Sequence, residues 1–246
     1  MSNSVSPPQS IRLVHGLLVR QLLTRGRVLA LLALGILLGV VALSVRLADS
    51  LEDPLRSSVE IFDVIGFTLV VPIVALVFAG AALGDSREDG TLVYLWLRPM
   101  DRWPVVVGAW LAAVSVALPL TVIPMGVSAL ITGVGEGLLA ATVLAAVVGV
   151  LVYSAVFLLL GLLLKNSIIW GIGYILIWEG LIAQFGSALG KAALRGYTRS
   201  ILANRMEIDL DGFTELSTST AVVVPAVVII VALLLSTLRL QSMEID

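Results

Sequence analysis

Residues 85–110 read DSREDGTLVYLWLRPMDRWPVVVGAW, an interval dense in charge at its start and set between two long apolar runs. Charged side chains at this density are too costly for hydrocarbon, so the interval belongs at a membrane surface, where a soluble partner can reach it. Of the 246 residues, 59% are hydrophobic and 13% charged, against about 25% charged in ordinary soluble domains. The chain is therefore expected to be an all-α integral membrane protein.

Outward from the interval, segments able to cross about 30 Å of hydrocarbon as helices fall at 28–47, 61–83, 105–131, 138–164, 168–187 and 220–238. Six spans put both termini on one side. That side collects Arg12, Arg20, Arg25, Arg27, Arg87, Arg98, Arg102, Lys165 and Arg239, whereas Arg46, Arg56, Lys191, Arg195, Arg199 and Arg205 fall opposite. The excess of basic residues predicts cytoplasmic termini, a cytoplasmic 85–102 and a plasma (inner) membrane location. The first apolar run begins near Val28, after a basic stretch and without a small-residue cleavage site, so it is read as a retained span.

Residues 1–9 are rich in Ser and Pro and are expected to be disordered. After them Ile11, Val14, Leu17, Leu18 and Leu22 recur at helical spacing. One reading is a helix lying in the interface with Arg12, Arg20, Arg25 and Arg27 toward lipid headgroups; the other is a basic flank that only sets orientation. Pro72, Pro119, Pro124 and Pro225 fall inside predicted spans, and the third, doubly marked, is expected to bend or tilt. The pairs Gly35/Gly39 and Gly80/Gly84 allow close helix approach, within the chain or at a subunit interface.

Within the interval, Asp85 or Ser86 is a candidate N-cap for a helix whose first turn carries Glu88 and Asp89. Leu92, Leu95 and Trp96 share a face of that helix, and Pro99 ends it near Leu97. Asp101 is a candidate cap for a second helix that tolerates Pro104 in its first turn and runs into the third span.

Glu88, Gly90, Thr91, Leu92, Leu95, Pro99, Arg102 and Gly108 together resemble the loop between the second and third spans of ABC-2 type transporter permeases, the membrane subunits of export-type ATP-binding cassette systems. Two positions depart from that pattern: Asp101 stands where a small hydroxyl residue is common, and Ala109 replaces a usual lysine. The basic N-terminal helix, the six spans, Trp178-Glu179-Gly180 and an outward segment before the last span extend the likeness. The resemblance implies a coupling helix docked in a cleft of an ATPase subunit, with Leu92, Leu95 and Trp96 as apolar anchors and Arg98 and Arg102 at the rim. It implies two ATPase partners that bind the ATP and Mg, a second permease subunit and membrane lipids. No cofactor is bound by this chain. The bland alternative is a solvated surface loop. The implied division is 1–27 tail and interfacial helix, 28–240 permease domain with coupling segment 85–104 and outward segment 186–218, and 241–246 tail.

Glu179 stands out as an acid deep inside a predicted span. It has three readings: a substrate-path residue, a proton site, or a partner for an arginine of the outward segment, and the resemblance favours structural pairing. The first half of the outward segment, 187–206, is helix-like, and the resemblance implies a short re-entrant helix dipping into the outer leaflet; its basic residues either meet headgroups or an anionic substrate, or form a solvated cap with internal salt bridges. Residues 186–191 superficially resemble a phosphate-binding loop, but the glycine spacing is short and Ala192 stands where Ser or Thr is required, so ATP hydrolysis is assigned to another chain. His15, the sole histidine, is read as an interfacial side chain; no catalytic triad, thiolate metal site or disulfide is available. Nothing points to nucleic acid. Competing functions are an ion-coupled transporter or channel using Glu179, and a non-transporting anchor or regulatory subunit.

Overall fold

The structure, a computed structural model, describes residues 6–48, 53–90, 100–181, 190, 192–208 and 216–243. Among the described residues the chain is helical throughout, in order α1 Pro7–Leu22, α2 Arg25–Leu47, α3 Pro54–Glu88, α4 Arg102–Thr132, α5 Leu138–Leu163, α6 Ser167–Glu179, α7 Leu194–Met206 and α8 Thr218–Ser242. α2, α3, α4, α5 and α8 are each long and apolar enough to cross a membrane. α6 is a shorter apolar helix within the predicted 168–187, of which 182–187 lie outside the described residues. α2 and α8 present bare Ile36, Leu37, Ile230 and Leu234 outward, a surface at home against lipid rather than water. This is the architecture of a multi-pass membrane protein.

α5 is the hub, packing against α3, α4, α6, α7 and α8. Small residues let it approach closely: a Cβ on Gly161 would lie 2.5 Å from the Gly80 carbonyl oxygen, and one on Gly84 would lie 3.4 Å from the Gly161 Cα. On α2, a Cβ on Gly35 would meet Pro124 at 2.7 Å and one on Gly39 would meet Ser128 at 3.8 Å. Both small-residue pairs are thus used within the chain. Gly161→Ala is expected to cost about 2 kcal/mol through overpacking. The control Gly16→Ala, with nothing within 4 Å of the added Cβ, is expected to be neutral or stabilising by up to about 1 kcal/mol. Equal melting temperatures for the two variants would contradict this crossing.

Contacts between helix ends set the topology. Arg27 at the start of α2 pairs with Asp85 near the end of α3 at 2.7 Å. The Asn166 N–H before α6 donates to Glu88 at 2.7 Å. At the other end, Arg46 donates to the Ile131 carbonyl at 3.0 Å, and Gly135 lies against Leu55 and Met206. The long helices therefore alternate in direction. The start of α2, the end of α3, the start of α4 and the end of α5 share one end, called here the basic end.

α3 departs from expectation on both flanks. It begins at Pro54 rather than 61, because the Asp53 carboxylate caps it by accepting from the Arg56 N–H at 3.0 Å and because Arg56 and Glu60 pair at 3.0 Å. Charges that mark a boundary in sequence are satisfied locally in the helix. The same helix runs through Asp85 and Ser86 to Glu88, so neither residue caps a new helix there. Gly90 supplies the stop, with φ of +68°, a conformation glycine adopts without steric cost. Upstream, α3 widens to π geometry over Phe62–Val70, immediately before Pro72. The wider turn relieves the proline of a missing donor and a ring clash.

α4 continues through Pro119 and Pro124 as one helix of 31 residues. α1 lies along it: Val14, Leu18 and Leu22 are buried, Gly108 would meet the Ile11 carbonyl and Val14 at 3.0 Å if it carried a Cβ, and His15 hydrogen bonds Ser115 at 3.2 Å. His15 is thus tied to a span rather than only to the interface. Leu13 and Leu17 stay bare beside Arg12 and Arg20.

Candidate functional site

Two places carry the polar chemistry of this chain. The first is the basic end, where α3 stops and α4 starts. Thr91, Leu92, Leu95, Trp96 and Pro99 lie outside the described residues. Glu88 and Gly90 are exposed, and Arg102, half-buried, opens α4. Asp101 occupies the N-cap position with extended backbone, but its side chain accepts no capping hydrogen bond. Pro104 falls in the first turn as expected. Ala109 is fully buried; a lysine here would point into the bundle rather than toward headgroups, which is a physical reason for the small side chain. Of the four predicted headgroup arginines, Arg12, Arg20 and Arg25 are exposed, whereas Arg27 is engaged with Asp85.

The second place, at the opposite end, is a buried ionic cluster that joins three elements. Glu179, at the π-helical end of α6, is wholly buried. Its Oε1 accepts from the Tyr174 hydroxyl at 2.7 Å and from the Leu194 N–H at 3.0 Å, and its Oε2 accepts from the Arg195 N–H at 3.0 Å. The carboxylate therefore caps α7, meeting two backbone donors that no carbonyl within the helix can satisfy and the positive end of the helix dipole. The arginine of the outward segment that Glu179 meets is Arg195, through its backbone N–H, while the side chain of Arg195 goes elsewhere.

That side chain forks onto Asp63 of α3, with Nε to Oδ1 at 3.2 Å and Nη2 to Oδ2 at 2.6 Å. Arg199, one turn on, approaches the same Oδ2 at 3.3 Å. The π turn aids this: the Thr68 hydroxyl donates to the Asp63 carbonyl five residues back at 2.9 Å, closing the widened backbone where α3 must offer an acid inward. Two carboxylates and two guanidiniums balance, which is what a buried charged cluster requires. Tyr153 of α5 adds a buried hydroxyl without a hydrogen-bond partner among the described residues; its ring stacks on Phe157 at 5.7 Å, and Phe157 meets Tyr174 edge-on at 6.1 Å.

Asp63 is the residue that sequence reasoning passed over. It is an acid inside the predicted 61–83 span, the same signal that marks Glu179, but it lies two residues from the boundary, where an acid in sequence looks like the membrane edge; in the structure it is buried. The outward segment is also corrected: Leu194, Arg195, Thr198, Ser200, Ile201 and Leu202 of α7 are buried, so its described part is a packed element rather than a solvated cap. Among the described residues no group of three or more His, Cys, Asp and Glu could hold a metal ion. No family model matches the chain, and no curated protein matches it.

Proposed function

We propose that the chain is the membrane-spanning permease subunit of an ABC-2 type transporter, exporting an amphiphilic substrate such as a lipid, peptide or hydrophobic drug. What carries this reading is the motif Glu88, Gly90, Thr91, Leu92, Leu95, Pro99, Arg102 and Gly108, running in sequence from the last residue of α3 into the first turns of α4, at the same end as the basic α1. In this reading residues 85–104 contain the coupling helix. Two partner ATPases bind ATP and Mg and dock on Leu92, Leu95 and Trp96. The six-span bundle works with a second permease copy or homologue, with both termini in the cytoplasm and the chain in the plasma membrane. α3 and α4 are continuous helices over 35 and 31 residues, long levers on which movement of the segment between them acts.

The chain has no cysteine, so a single Cys at Thr91 or Leu95 gives a clean cross-linking probe. Either site is expected to cross-link to an ATPase that co-purifies in a one-to-one ratio. Trp96→Glu is expected to reduce that co-purification at least about tenfold, the loss of a buried aromatic anchor. Failure of both Cys sites, with co-purification unchanged by Trp96→Glu, would exclude the docking role.

A further inference from the structure

A groove runs between α2 and α4 on the outward surface. Its first cavity, about 340 Å³, is bordered by Val19 and Leu23 at the end of α1, Val28 of α2 and Ile123 of α4. A second, about 390 Å³, continues toward Ile131. Leu32 and Pro124 line both, so the two form one continuous slot. The serines that border it are satisfied within the protein: Ser115 by His15 and the Ala112 carbonyl, Ser128 by the Pro124 carbonyl. The slot therefore offers hydrocarbon and nothing else.

Its mouth is different in kind. Arg20 and Arg25 flank the turn between α1 and α2: Arg20 follows the lining residue Val19, and Arg25 lies between the lining residues Leu23 and Val28. Both are exposed and enter no ion pair among the described residues, whereas neighbouring Arg27 is engaged with Asp85. Along α4 the first cavity extends from Ser115 to Pro124, about 14 Å at 1.5 Å per residue. That is close to half of a hydrocarbon core about 30 Å thick, the depth of one leaflet.

We infer that this slot binds one anionic phospholipid from the leaflet at the basic end, its phosphate on Arg20 and Arg25 and one acyl chain in the first cavity. The apolar lining, the leaflet-length depth and the two unpaired cations at the mouth each match a part of that molecule. A second copy of the chain is a poorer occupant. A two-fold contact through this face brings the same arginines toward one another, and like charges oppose it. The inference needs only a membrane protein and does not depend on the transport reading.

Native mass spectrometry tests it, with the full-length protein released from micelles that hold equal amounts of phosphatidylglycerol and phosphatidylcholine of matched chains. Wild type is expected to retain one phosphatidylglycerol in preference. Each basic residue near an anionic surface contributes about fivefold in affinity, so Arg20→Gln with Arg25→Gln is expected to lower the preference by more than about tenfold. Leu32→Trp, and independently Ile123→Trp from the other wall, fill the slot and are expected to lower retention of both lipids. Equal retention of the two lipids by wild type, or an unchanged preference in the double arginine variant, overturns the inference. So does phosphatidylglycerol retention that survives both tryptophan variants, which leaves only a headgroup contact. A lipid-free dimer split by Leu32→Trp assigns the face to a second copy and overturns it as well.

Discussion

Glu179→Ala is expected to lower the melting temperature of the detergent-solubilised protein by roughly 6–12 °C. The substitution leaves the Leu194 and Arg195 N–H groups and the Tyr174 hydroxyl without their acceptor. A buried unsatisfied donor costs about 1–3 kcal/mol in soluble proteins, but hydrogen bonds inside membrane bundles average below about 1 kcal/mol, because the unfolded state in lipid also finds partners. Three donors at about 1 kcal/mol each give about 3 kcal/mol, and each kcal/mol moves the melting point of a chain this size by about 2–4 °C. Glu179→Gln keeps one acceptor oxygen and is expected to lose less than half as much. Tryptophan fluorescence on heating reads both. A Glu179→Gln protein as stable as wild type would remove the argument for a fixed cap and return Glu179 to the proton-coupling reading.

Asp63→Ala is expected to be worse. It removes the carboxylate shared by the guanidiniums of Arg195 and Arg199, whose side chains are only 10% and 15% exposed, and breaking a buried ion pair from one side costs about 3–5 kcal/mol. Arg195→Met leaves Asp63 with Arg199 still beside it, and Arg199→Met leaves the shorter Arg195 fork on Asp63 intact. The order of destabilisation is therefore Asp63→Ala, then Arg195→Met, then Arg199→Met. The double variant Asp63→Leu with Arg195→Met is expected to recover part of the single loss, since matched apolar replacement of a buried pair is often neutral or better. Equal melting points for Asp63→Ala and Arg199→Met would show that the cluster is not centred on Asp63.

The cluster also has a mechanical consequence. α7 is held at its N-terminus by α6 and at its first two turns by α3, so the cluster ties these three elements together at the end opposite the basic end. α3 reaches from that cluster to Glu88, whose carboxylate ties it to the start of α6.

How much of this was legible in the residues alone depends on range. The long apolar helices were, because hydropathy acts residue by residue and needs no partner: α5 was expected at 138–164 and runs Leu138–Leu163. The stop at Gly90 was not, since the residues read as a helix from Asp85 or Ser86 to Leu97, and α3 extends beyond 61–83 at both ends. Arg56 with Glu60, and Arg27 with Asp85, neutralise charges that in sequence look like the edge of the membrane. The burial of Glu179 was legible from its position in an apolar run, while its partners were not, since backbone N–H groups leave no mark in a sequence.

Composition and periodicity alone therefore determined that the chain is a helical membrane protein with a charged interval between two long helices, because the transfer cost of each side chain is a local property. The tertiary structure decided which acid meets which base. Asp63 and Arg195 are 132 residues apart, and only the packing of α3, α6 and α7 around α5 brings a fork of guanidinium onto a carboxylate at 2.6 Å. Pairing energy in a low-dielectric interior depends on that distance and on burial, and neither is a property of any one segment.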